Sequence, residues 1–318
     1  MIFKPIIFLA VALLMCQVAH SQLQGFATQN GGTSGGAGGP TVNVNTEAQL
    51  INAVTDNNPR IVRVTGSITL SGTTRVRVGS NKSILGASSN AGIHRGGGLL
   101  LESVRNVIIR GIRCSFVRAP NDCVEISRTT NVWIDHCEFW ADQNNGRDFY
   151  DGLVDIVRGS DFVTLSWNRF RNHYKVSLIG NSDDAGATDR GRLRVSIQGN
   201  WFQNVNSRNP SLRFGTAHIW NNFFQNVGAS TINSRMGAQV FVENNVFVNA
   251  RRTIITNLDS REDGFANHRN NLFGSESMAG PFITRTGTFT NPPYSYSLQS
   301  VHNTESLVRG RAGATTTF

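Results

Sequence analysis

A tripeptide that recurs along the chain constrains the fold more than any other feature. C-x-F starts at Cys114 and Cys137, and N-x-F at Asn168, Asn200, Asn222, Asn245 and Asn271, each closed two residues later by a phenylalanine. Successive starts lie 23, 31, 32, 22, 23 and 26 residues apart. Each tripeptide follows a short alternating apolar segment, as in "NVWIDHCEF", "FVTLSWNRF" and "QVFVENNVF", where residues at spacing two face one side of a strand. Short strands at this period, with almost no helical periodicity between them, predict an all-β chain wound as a parallel β-helix. In that fold the asparagines stack as a side-chain ladder and the phenylalanines stack in the core. The two long steps predict loops protruding at "WADQNNGRDFY" and "NSDDAGATDRGR".

An open solenoid end needs a cap. "NTEAQLINAV" predicts a capping helix, with Thr46 and Gln49 as a T-x-x-Q capping box and Ala48, Leu50, Ile51 and Val54 as its apolar face. Upstream, "GGTSGGAGG" has no lysine at phosphate-loop spacing and reads as a flexible or tightly turned lead-in. The tail after Phe273, with "NPPYSYSL", breaks the repeat and is expected to pack along the outside of the coils.

Residues 1–21 carry one lysine, an apolar run from Ile6 to Met15 and a small-residue ending, the pattern of a signal peptide cut near Ser21. The expectation is a secreted protein whose single domain spans 22–318, with no membrane span and acting as a monomer. Losing Lys4 takes the 30 basic residues to 29, against 21 acidic. Outside the cell such a balance fits a polyanionic partner, because a positive field concentrates anionic ligands, or else it only aids solubility. Cys114, Cys123 and Cys137 remain, which allows one bridge and one free thiol, or three buried thiols.

"DGLVDI" sets Asp151 and Asp155 four apart, and Asp122 lies one coil earlier in "PNDCVEI". On neighbouring strands the three carboxylates would converge on one face and suit a hard cation such as Ca²⁺; otherwise they are solvated surface acids. Asp135 and His136 read equally as structural or catalytic. "SRNPSLRF" places Arg208 and Arg213 around Pro210 with no acid in the stretch to pair them.

"NVWIDHCEF", "DGLVDIVRGSDFVTLSWNRF", "HYKVSLIGNSD" and "NSRNPSLRF" resemble, in order, the signature blocks of the pectate lyases of polysaccharide lyase family 1, in particular the fungal type. The likeness covers residues 25–318. It implies a right-handed parallel β-helix and Ca²⁺-dependent β-elimination of polygalacturonate. It also implies Asp122, Asp151 and Asp155 as Ca²⁺ ligands, Lys175 and Arg213 as substrate-binding residues, and Arg208 as the base. One departure is Pro120, where many members carry a further aspartate.

The reaction has a physical logic of its own. Removing the C5 proton of a galacturonate residue expels the oxygen at C4, and cations on the C5 carboxylate stabilise the charge that develops. Arginine is an unusual base, with an ordinary pKa of about 12.5 to 13.8. His173 is the conventional alternative, although the stretch offers no acid to support it. Pectin lyase would lack the acidic cluster, and a glycoside hydrolase would need an acid–base carboxylate pair on coil strands. A non-catalytic polysaccharide-binding protein would have no reason to keep the whole set. Nucleic-acid binding is disfavoured because the aromatic residues fall on core positions.

Overall fold

The computed structural model describes residues 22–274 and 280–318, so the expected signal peptide lies outside the described residues. Three parallel sheets wrap one core. Sheet A has ten strands from Thr41–Val44 to Phe265–Arg269, sheet B nine from Ser67–Leu70 to Leu272–Phe273, and sheet C eight from Val76–Arg77 to Ile254–Ile255. Within each sheet every strand pairs with its counterpart one coil away, which is the expected parallel β-helix. Among the described residues no helix is long and apolar enough to cross a membrane.

The asparagine ladder runs as the repeat predicts. Asn168 Oδ1 accepts the Cys137 N–H at 2.9 Å, and Asn200 Oδ1 accepts from Asn168 N and Nδ2 at 2.8 and 3.0 Å. The same pair of bonds recurs from Asn200 to Asn222, Asn222 to Asn245 and Asn245 to Asn271. From Asn168 to Asn245 each Nδ2 also donates to a strand carbonyl, such as Leu165 O for Asn200, so these four fully buried amides leave no donor unmade. Two residues on, the rings of Phe139, Phe170, Phe202, Phe224, Phe247 and Phe273 stack with centroids 5.4, 5.0, 4.7, 4.8 and 5.2 Å apart. Those separations approximate the strand spacing of about 4.8 Å, so ring stacking and backbone pairing share one repeat.

The first tripeptide is out of register. Cys114, not Phe116, pairs with Phe139, so Cys114 occupies the ring column and Phe116 leaves it for a turn. Cys114 is bonded to Cys123, with Cα atoms 6.0 Å apart, and Cys137 is free and buried at the head of the ladder. Each coil from the fourth strand of sheet A onward passes into sheet B through a left-handed residue just before the ladder position. These are Gly111, His136, Trp167, Gly199, Asn221, Asn244 and Asn270. At Gly199 a Cβ would stand 2.7 Å from the Trp167 indole, so only glycine fits.

The first helix, Glu47–Val54, has Thr46 as N-cap, accepting from Gln49 N at 3.3 Å. Gln49 Oε1 accepts the N–H of Asn45, one residue earlier than a strict capping box requires. Its core face is Leu50, Ala53 and Val54; Ala48 is exposed, because the i+3 position that meets the core is Ala53. The glycine-rich lead-in crosses sheet A closely, and a Cβ on Gly36 would fall 1.9 Å from Arg60 O. Both expected loops protrude, the second carrying the short helix Gly186–Asp189. The tail packs outside as expected, setting Tyr294 and Tyr296 against His218, and ends in a helix, Val301–Arg311, whose Val308 covers Trp201, Phe223 and Val246.

Replacing Asn222 by alanine removes the acceptor of Asn200 and leaves the carbonyls of Ile197 and Trp220 without their side-chain donor. At about 1 to 3 kcal/mol for each buried group left unmade, the expected outcome is a loss of roughly 3 kcal/mol or more. A lower denaturation midpoint in guanidinium for N222A, against a nearly unmoved one for the exposed N58A, checks this.

Candidate active site

The turns from sheet B into sheet C, and the outward positions on sheet C, carry the candidate residues. Asp155 alternates with core Val154 and Ile156 on the strand Val154–Val157, so it faces outward, beside Glu125 of the preceding coil. Asp122 lies just before the strand Val124–Ser127 and accepts the Gly152 N–H at 2.6 Å. Gly152 sits between the two carboxylates: a Cβ there would be 2.4 Å from Asp155 Oδ1 and 2.7 Å from Asp122 Oδ1. Burial, then the charge of Asp155 and Asp151, raises the Asp122 carboxyl well above its usual range. Burial also lifts Asp155 to about 7, against the pull of Arg208 and of the Leu178 N–H.

Two buried carboxylates facing one glycine are short of positive charge, a donor set that fits a hard divalent cation. Asp151, the third expected ligand, is engaged by a cation instead. Its Oδ1 lies 2.9 Å from Lys175 Nζ, which also reaches Asp148 at 3.0 Å. Among the described residues no three His, Cys, Asp or Glu side chains are gathered around one point. The expected triad is therefore a facing pair plus a third member held by the nearest cation.

Lys175 ends the strand Arg169–Lys175 and pairs with Ser207, which places Arg208 one residue past the neighbouring coil's partner. Arg208 is a left-handed residue, φ 62°, and its carbonyl accepts the Ser177 N–H at 2.7 Å. Its guanidinium lies 4.0 Å from both Asp151 and Asp155. Arg213 faces outward on Ser211–Arg213, donating to Asp183 Oδ1 at 2.5 Å and to Gly180 O at 2.8 Å. Neither arginine lacks an acid, contrary to the sequence expectation. The partners come from the protruding loop and from two coils back, 30 or more residues away.

Sequence reasoning passed over several residues here. Arg235 pairs with Arg213 one coil on; burial and the Arg213 charge lower it to about 10, and its Nη1 holds Asp259 O at 2.8 Å. Arg147 joins Arg208, Arg213 and Arg235 around a cleft of 250 Å³, in which Ser211 Oγ and Asn233 Oδ1 are buried without a hydrogen-bond partner. The coil period of 22 residues that separates Arg213 from Arg235 was the signal available for the latter. His173 is buried, its Nδ1 accepts the Lys175 N–H at 3.1 Å, and burial depresses it to about 4, so it stays neutral and engaged. His136 bonds Asp135 at 2.8 Å inside its own coil.

Residues 3–317 match the family model described as pectate lyase. Probable pectate lyase A of Aspergillus flavus is 42% identical over 302 residues, covering 95% of this chain and 89% of that protein. Pectate lyase A of Aspergillus niger is 43% identical, covering 92% and 88%. The pectate trisaccharide-lyase of Bacillus licheniformis is 40% identical, covering 93% and 87%. A pectate lyase of Bacillus sp. N165, solved in complex with trigalacturonate, superposes with a TM-score of 0.83 at 34% identity over 92% of this chain and 98% of that one. Matched in this way over nearly its whole length, the chain belongs to the pectate lyase family of polysaccharide lyases.

Proposed function

We propose that the chain is secreted as one monomeric domain, 22–318, and cleaves α-1,4-linked polygalacturonate by Ca²⁺-dependent β-elimination with Arg208 as base. The observation that carries this reading is the adjacency of two oppositely charged sets. Four guanidiniums line one cleft, Lys175 pairs with Ser207 of its wall, and Asp155 of the under-compensated pair Asp122 and Asp155 lies 4.0 Å from Arg208.

Each group then has a task set by its position. Lys175, Arg213 and Arg235 bind uronate carboxylates, the first two exchanging protein acids for those of the substrate. Asp122, Asp151 and Asp155 would hold Ca²⁺, with Asp151 leaving Lys175 to do so. When bound, the cation supplies Lewis-acid stabilisation of the charge that develops on the uronate carboxylate. Arg208, once its two aspartates are engaged elsewhere, is released from both ion pairs and faces the substrate. Its neutral guanidine removes the C5 proton, the C–H electrons form the C4–C5 double bond, and the C4–O bond breaks. The departing sugar oxygen takes a proton from water.

The decisive assay follows the ultraviolet absorbance of the unsaturated product on polygalacturonate and on highly methylated pectin, with and without a chelator. The expected outcome is a rise on polygalacturonate that the chelator abolishes; reducing ends without absorbance would indicate hydrolysis and overturn the reading. Arg208→Lys and Arg208→Ala are both expected to lower kcat by about 100-fold or more with Ca²⁺ saturating, the usual scale of a lost proton-transfer group. Asp183→Asn probes the Arg213 clamp. Burial would raise the Asp183 carboxyl, but bonds from Arg213, Ser260 and the Arg261 N–H hold it at about 2 instead of 3.8. Its contribution to stability is present above 3.8 and lost as pH falls toward 2, so thermal melts of D183N should be flatter than wild type across that window.

A further inference from the structure

A second row of amides stands on the outside of sheet B, apart from the buried ladder. Asn172, Asn204, Asn226 and Asn249 recur near the ends of the strands Arg169–Lys175, Trp201–Ser207, Phe223–Val227 and Val246–Ala250. All four are left-handed, with φ of 53, 52, 55 and 48°. The Nδ2 of each later residue donates to the Oδ1 of the one before it, at 3.3, 2.8 and 3.0 Å. Three coil steps of about 4.8 Å make the row roughly 14 Å long. Left-handed backbone alone does not account for four asparagines in succession, since the left-handed turns before sheet B carry residues as different as His136, Trp167 and Gly199.

The outer row differs from the buried one in what it leaves over. A primary amide carries two N–H donors and two acceptor lone pairs. At the exposed Asn204 and Asn226 the row takes one donor and one lone pair, and among the described residues the others have no protein partner. A cavity of 480 Å³ runs beside these rungs, lined by Asn172, Asn204 and Asn226 together with Gln143, Asn206 and Tyr174. Every residue of its lining is uncharged, on a chain whose formal net charge is +9, and none of them lines the cleft around Arg208. Tyr174 is half-buried and its hydroxyl donates to Gln143 O at 3.1 Å, which fixes one aromatic ring among the amides.

Amides in register beside an aromatic ring suit a neutral glycan: they exchange hydrogen bonds with sugar hydroxyls while the ring covers a C–H face. A polyanion would find no countercharge in this lining. An extended β-linked chain advances by about one sugar per coil step of about 4.8 Å, so successive sugars meet successive rungs. We propose that this row is a binding surface for a neutral β-1,4-linked glycan, separate from the arginine cleft and independent of the elimination chemistry. No charge takes part, so the binding should survive salt that screens surface electrostatics.

The test measures depletion of the protein from solution by insoluble β-1,4-glucan, for wild type, N204G/N226G and N226D. Glycine keeps the left-handed backbone without strain and removes two amides, while aspartate keeps the amide's shape and removes its donor. Wild type should bind the glucan equally at low and high salt. The double variant should bind about tenfold more weakly, the scale of two lost hydrogen bonds, and N226D about threefold. N226D carries the comparison should the glycine pair fold poorly, with near-ultraviolet circular dichroism as the check on folding. Wild type that stays in solution, or folded variants that bind as wild type does, would overturn the surface. Binding abolished by salt or by polygalacturonate would do the same, because it would belong to the cationic cleft. Rates on polygalacturonate should be equal in all three proteins, and a fall that parallels the loss of glucan binding would also overturn a separate surface. Failure of the lyase reading would appear as absent turnover by wild type and would leave the glucan measurement standing.

Discussion

Every buried amide from Asn168 to Asn245 donates to the amide of the coil after it and accepts from the coil before it, and the register of the coils from Cys137 onward hangs on that row. A side-chain amide matches its counterpart only when both coils present the same position, so a slip by one residue would bury an unpaired donor and turn core side chains to solvent. The stacked phenylalanines enforce the same repeat from the apolar side. Since the backbone hydrogen bonds between coils are similar at every position, these two columns decide which residues become neighbours.

The arrangement of charge follows from that register. Lys175 pairs with Ser207, and Arg213 with Arg235, because their strands are held in phase by residues on the other side of the core. Cations and acids therefore form axial rows on one face and neutralise one another across one or two coil steps. Lys175 bridges Asp148 and Asp151, Asp183 clamps Arg213, and Arg208 lies between Asp151 and Asp155. A polyanion entering this cleft would meet cations already oriented by protein acids, so much of the ordering is done before binding. Asp122 and Asp155 are the exception, since burial and their own repulsion outweigh the nearby cations.

How much of this could be read in the sequence depends on whether a residue's neighbours are fixed by period or by loop path. The coils from Asn168 onward were legible because one polar and one aromatic position repeat with the backbone. The coils from Thr41 to Cys114 carry aliphatic residues at those positions, so nothing distinguished them, and the chance C-x-F at Cys114 pointed to the wrong column. Asp122, Asp155, Lys175 and Arg208 stand in motif blocks of the sequence, and the coil register brings them to neighbouring turns and strands. Asp183 was not recognised as the partner of Arg213, because its position depends on how a protruding loop folds back on the next coil. Pairing across such a loop has no period, and no local pattern announces it.

The ladder has a further consequence for how such a chain can change in size. A rung offers the same acceptor to the coil before it and the same donor to the coil after it, so it does not recognise which coil its neighbour is. Deleting or duplicating one complete coil together with its asparagine would let the row close over the junction. The molecule would then shorten or lengthen by one step of about 4.8 Å, and its outer face would lose or gain one turn. Single residues inside a coil are tightly constrained, while whole coils are interchangeable units of length.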